Sequence, residues 1–144
     1  MLGRTKAAAP GADAADVLAQ WQRVKACDPR WVIVQVGANQ RWVPRPGPDR
    51  DVDERDNRSA LSHCFETLTY EAAAWGGRVL IIDHPVSRGP EPRWVRDVRD
   101  AVPPGASLVA PHLRWWEIAA DHLHPTYRGH LRIAAALRRV IDSR

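Results

Sequence analysis

An aspartate and a histidine three residues apart, Asp121 and His124, lie in the run Asp121-His122-Leu123-His124-Pro125-Thr126, just ahead of a helix-forming stretch. A carboxylate at this spacing can hold one imidazole nitrogen. That selects the tautomer, stabilises the charged ring and leaves the second nitrogen to move a proton. The same residues could do plainer work, with Asp121 capping the helix and His124 standing in solvent. His84, His112, His122 and His130 add further imidazoles. Alternate residues in a loop do not specify a zinc site, and neither a metal nor a cofactor is expected. A proton-moving pair also needs a nucleophile. The serines are Ser59, Ser62, Ser87, Ser107 and Ser143, and none stands in the sharp strand-to-helix turn that exposes a nucleophile. Ser62 adjoins His63, but neighbours on a helix point apart.

The elements that would carry these residues follow from hydrophobic period and punctuation. Residues 13–26 read as a helix capped by Asp13, with Val17, Leu18, Trp21 and Val24 as its stripe and Asp28-Pro29 as its stop. Residues 31–36 are apolar on both faces, as in a buried parallel strand, and end at Gly37. Residues 44–58, Pro-rich and then charged, read as a solvated loop insertion. A helix over 59–75 gathers Leu61, Cys64, Phe65, Leu68 and Ala72 on one face and stops at Gly76-Gly77. A strand over 79–82, a short helix over 93–102, a strand over 107–110 and a helix over 126–142 capped by Thr126 complete the chain. Such alternation predicts one three-layer α/β/α domain over 1–144, with a mostly parallel sheet of flavodoxin-like type. Ligands of such sheets bind beyond the carboxyl ends of the strands. Gly37-Ala38-Asn39, Asp83-His84 and the loop to Asp121 and His124 should converge there.

Three segments in order carry a family likeness: the Gly turn at Pro10-Gly11-Ala12-Asp13 opening a helix, the strand end Val36-Gly37-Ala38-Asn39, and Asp121-x-x-His124-Pro125 before the last helix. Together they resemble the SGNH/GDSL hydrolases, a family of esterases, lipases and acyl hydrolases, across about residues 6–141. The resemblance implies His124 as general base and Asp121 as its orienting carboxylate. It makes the Gly11 backbone N–H and the Asn39 side chain the oxyanion-hole donors. It also implies a small-molecule ester or an acylated carbohydrate as substrate. Two departures stand out. Gln40 replaces the acid that usually follows Asn in this family. The Gly-Asp-Ser block and its strand, which precede the Gly11 segment in the family, have no counterpart in this chain. The chain by itself is therefore expected to be inactive or nearly so. The apolar strand edge left by that block is expected to take a strand from a partner, an upstream segment or a second copy. The other reading the residues allow is a non-catalytic remnant or binding module that keeps the cleft for a carbohydrate or acyl ligand.

Composition narrows the classes. The chain has 144 residues, 44% hydrophobic and 26% charged, enough for one core. Its formal charge is +4, but acids interleave with the arginines at Arg50-Asp51, Arg96-Asp97 and Arg99-Asp100, so no nucleic-acid stripe is expected. No apolar run approaches a membrane span and no signal-peptide core is visible, which points to the cytoplasm. Seven Trp against one Phe is more than a core of this size absorbs, so some Trp must be partly exposed or line a cleft. Trp115-Trp116 could line an acyl pocket or pack under the last helix.

Overall fold

The computed structural model describes residues 11–38, 50–84, 91, 93–121 and 124–143, with the side chains of 50–56 left aside. Three parallel strands form one sheet in the order β1-β2-β3: β1 (Trp31–Val34), β2 (Arg78–Ile82) and β3 (Ser107–Val109). Among the described residues four α-helices flank it: α1 (Ala14–Lys25), α2 (Arg50–Ala73), α3 (Arg93–Asp100) and α4 (Tyr127–Asp142). A 3-10 turn at Trp115–Glu117 precedes α4. Mixed α/β architecture with a parallel sheet flanked by helices is what the alternation predicts.

Register separates the two faces of the sheet. Val32 pairs with Val79 and Val34 with Ile81, and these four point into the core shared with α1 and α2 and with Val98 of α3. Ile33 pairs with Leu80 on the opposite face, where Leu80, Val109 and Ala136 pack with Trp31, Leu137 and Ile141. Helices α1, α2 and α3 thus share one face and α4 takes the other. β1, β2 and β3 step across the sheet in one direction. Right-handed crossovers in one direction place their helices on one face. Central β2 is buried over Val79–Ile82.

Local chemistry explains the boundaries. Asp13 caps α1, accepting from the Asp16 N–H at 3.0 Å, while Asp16 returns the bond to the Asp13 N–H at 3.1 Å. Helix α2 ends where Gly76 turns left-handed at φ 78, and the Gly77 N–H closes on the Ala72 carbonyl at 2.8 Å. α1 and α2 run side by side in the same direction. Lys25 and the Trp21 indole N–H both reach Glu71, at 3.0 and 2.7 Å, holding the carboxyl of Glu71 below the ordinary carboxylate range. Trp21 also stacks on Trp75, with ring centroids 5.9 Å apart.

One expectation needs correction. The charged stretch 50–58, expected as part of a loop insertion, is the first part of α2, which begins at Arg50 rather than near Ser59. Arg and Glu are good helix formers. Asp51 to Arg55 and Glu54 to Arg58 are acid-to-base steps of four residues, the spacing that supports a solvated helix. Residues 44–49 lie outside the described residues.

Candidate active site

The Asp121–His124 pair is built at the mouth of α4. The Thr126 hydroxyl caps that helix, accepting from the Gly129 N–H at 3.3 Å. Asp121 is therefore not the cap; it serves the histidine. Its Oδ1 accepts the His124 backbone N–H at 2.9 Å, and its Oδ2 lies 2.6 Å from His124 Nδ1. A carboxylate on Nδ1 places the ring proton there and leaves Nε2 with its lone pair outward. The imidazole is 72% exposed, so a reacting group can reach it from solvent.

The preceding turn clamps this loop to α4. The Thr126 N–H donates to the Glu117 carbonyl at 2.8 Å, the Ala119 N–H to the His124 carbonyl at 2.7 Å, and Ile118 bridges Pro125. Glu117 is buried. Its carboxylate accepts the Arg114 backbone N–H at 2.8 Å and the Arg132 Nε–H at 2.7 Å. The Arg114 N–H and then Arg132 hold its carboxyl below the ordinary range, against the opposing effect of burial. Gly129 sits so close that an added Cβ would collide with the Glu117 carbonyl. Glu117 and Gly129 were not singled out by the sequence. The only trace of the clamp was one acid within the apolar run Trp115-Trp116-Glu117-Ile118, and its partner Arg132 stands fifteen residues away.

The β1 end is held as firmly. Gly37 is buried at φ 128, and a Cβ there would meet Val98 of α3. The His84 ring hydrogen-bonds the Val36 carbonyl and packs edge-on against Trp94 at 4.7 Å. Burial pushes His84 below the ordinary histidine value, with the Val36 bond and the Asp83 charge opposing. Asp83 accepts from Arg99 Nε at 2.8 Å, and Arg99 also binds Glu91 at 2.6 Å. Asp83 Oδ1, His84 Nε2 and Trp94 Nε1 are buried with no hydrogen-bond partner among the described residues.

Because the strands are parallel, the β1 end, Asp83-His84 and the loop after β3 all leave the same edge of the sheet. Gly11 opens α1 in left-handed backbone at φ 75, exposed, with open space where a Cβ would stand. Asn39 and His122 lie outside the described residues, as does Ser87. No described serine hydrogen-bonds the His124 ring. Cys64 does not replace one. Its thiol is wholly buried, and burial pushes it up to about 12, so it stays a protonated thiol at neutral pH. Among the described residues no group of three or more His, Cys, Asp or Glu could hold a metal ion, and no helix is long and apolar enough to cross a membrane.

Two residues beyond His124 in the chain, Thr126, Tyr127 and Arg128 join Arg114, Trp115 and Trp116 in lining a shallow, open cleft. Trp115 is 58% exposed, Trp116 45% and Tyr127 78%, so the two tryptophans are a surface and not packing beneath α4.

No family model matches the chain, and no curated protein sequence matches it either. Solved structures do. A tryptophan-to-isoleucine variant of Axe2, an acetyl xylan esterase from Geobacillus stearothermophilus, is 20% identical with a TM-score of 0.64, over 90% of this chain and 67% of that one. A catalytic mutant of Axe2, with a serine near its amino terminus replaced by alanine, gives 20% and 0.61 over 90% and 67%. LAE5, an alpha/beta hydrolase enzyme from the metagenome of Lake Arreo in Spain, gives 20% and 0.61 over 88% and 66%. The chain shares the α/β fold of these esterases and hydrolases over most of its own length and about two thirds of theirs.

Proposed function

We propose that this chain supplies the acid–base and oxyanion side of an ester-hydrolysing or acyl-transferring site. The observation that carries the reading is the 2.6 Å contact of His124 Nδ1 with Asp121 Oδ2 at the mouth of α4, in a fold shared with esterases. A serine hydroxyl attacks the ester carbonyl, a bond forms from Oγ to carbon, and its proton passes to His124 Nε2. The tetrahedral intermediate then expels the alcohol, which takes that proton from Nε2. Water repeats the two steps on the acyl-serine and releases the acid. Asp121 holds the ring and balances the charge it gains. Gly11 N–H and the Asn39 amide stabilise the oxyanion, a donor pair of the kind whose single loss costs on the order of 10²–10³ in rate. The serine comes from a segment other than the described residues. Among the described residues β1 is an outer strand of the sheet, the edge at which such a segment or a partner strand would pair. Small esters and acetylated carbohydrates fit as substrates by likeness to Axe2.

The test is a fusion. The amino-terminal segment of Axe2 that bears the catalytic serine is joined ahead of this chain and assayed on p-nitrophenyl acetate. Turnover is expected from the fusion and not from the chain alone, falling about 10²–10⁴-fold in His124→Ala. A folded fusion whose turnover ignores His124 overturns the reading. It would favour the second one, a binding module, which the open aromatic cleft supports.

A further inference from the structure

The cleft beside His124 has a character that proton transfer does not require. Three exposed aromatic side chains gather where Trp115–Glu117 meets the first turn of α4. The two indoles stand nearly perpendicular, at 84° with centroids 5.5 Å apart, and form a corner with two apolar walls. Large aromatics held half in water by a rigid clamp mark a contact surface. The clamp here is the buried Glu117 carboxylate with Arg132, so the corner is set before any ligand arrives.

The rim is cationic. The Arg114 guanidinium carbon lies 5.2 Å over the centre of the Trp116 ring, a cation–π contact. Arg128 enters no ion pair among the described residues. The nearby acids are already engaged: Glu117 by Arg132, Asp121 by the His124 ring and backbone. The rim thus carries Arg114 and Arg128 against one carboxylate, Asp121, whose charge the hydrogen bonds to His124 do not cancel.

We infer that this cleft binds a glycan carrying a uronic acid: sugar rings stack their apolar C–H faces on Trp115, Trp116 and Tyr127, and the uronate carboxylate sits between Arg114 and Arg128. The inference rests on the ester-hydrolase reading for the setting beside His124, and it names the substrate that reading leaves open. The face is shallow and open, so sugar rings can lie along the aromatics with much of each ring left in water. A neutral oligosaccharide would use the aromatic corner alone. A small anion would use the arginines alone. Only an acidic saccharide uses both.

The test is calorimetric titration of the full chain with xylotriose bearing one glucuronic acid, against unsubstituted xylotetraose and free glucuronate. At roughly 20 mM salt the acidic oligosaccharide should bind about tenfold tighter than the neutral one, and the gap should shrink severalfold at roughly 300 mM. Trp115→Ala and Trp116→Ala should abolish binding of both oligosaccharides. Arg128→Gln should remove only the preference for the acidic one, and Arg128→Glu should reverse it. Near-UV circular dichroism verifies that each variant is folded. Equal affinity for both oligosaccharides, tighter binding of free glucuronate, or no binding by the folded chain each overturns the inference. The esterase fusion reads the other proposal separately. Turnover without saccharide binding retains the hydrolase and discards the cleft; binding without turnover does the reverse.

Discussion

Ile33 and Leu80 are neighbours in register on one face of the sheet, yet Ile33 is 48% exposed and Leu80 1%. On the other face Val32 and Val79, also paired, are 6% and 1% exposed. The residue types hardly differ. What differs is the covering: α1 and α2 lie over the first face out to the edge strand, whereas α4 packs over Trp31, Leu80 and Val109 and leaves Ile33 in contact with water. An apolar strand residue is buried by what crosses above it, not by its own hydrophobicity. The same contrast runs through the site. The β1 end is locked by Val98, Trp94 and His84, while the His124 loop is clamped from beneath by Glu117 and open above.

Leu80→Ala should break the comparison most sharply. Removing a fully buried leucine between β1 and β3 should cost about 2–5 kcal/mol by chemical denaturation. Next comes Gly129→Ala, which forces the 115–117 turn away from α4; about 1–3 kcal/mol of stability should be lost. Its effect should reach the cleft and weaken oligosaccharide binding, whereas Gly11→Ala meets no atom, strains only its own left-handed backbone at φ 75 at a cost of about 1 kcal/mol, and should leave that binding as it was.

The His84 prediction concerns pH. Its folded value lies below the unfolded value of 6.5, so in that interval the unfolded chain binds the extra proton. Stability should be complete above about pH 6.5 and fall as the pH drops below it. His84→Gln, which can still donate to Val36, should flatten that slope. A slope identical to wild type in a folded variant would assign the effect elsewhere. Glu71 and Glu117, both lowered, act in a separate window, losing their contributions as the pH falls below the ordinary carboxylate range. The smallest effect belongs to Ile33→Ala, about 0.5 kcal/mol or less in the isolated chain. A loss above about 2 kcal/mol would show that the outer face of β1 is covered in solution.

Much of the fold was legible because it depends on local rules. Asp13 and Thr126 cap where capping chemistry expects them, Gly76 ends α2, and the apolar runs at Trp31 and Val79 become parallel strands. The early start of α2 was not legible. A charged segment without an apolar stripe in its sequence reads the same whether it forms a helix or a loop. The Asp121–His124 contact was legible because three residues separate the partners. The Glu117–Arg132 clamp was not, because a long-range ion pair leaves no period in a sequence.

Residue order alone was enough for the alternation of elements, for the acid–base pair and for the surplus of tryptophan that a core could not hold. All three follow from short-range spacing or composition. Three other features required the folded chain: which face of β1 meets water, that Trp115 and Trp116 form an exposed corner, and that His84 is buried against Trp94. Each depends on which helix crosses which strand, on the room Gly37 leaves for the Val98 side chain and on how close Gly129 lets the Glu117 backbone come. Contacts of that kind join residues distant in the chain, and they exist only once burial has outweighed the entropy of bringing them together.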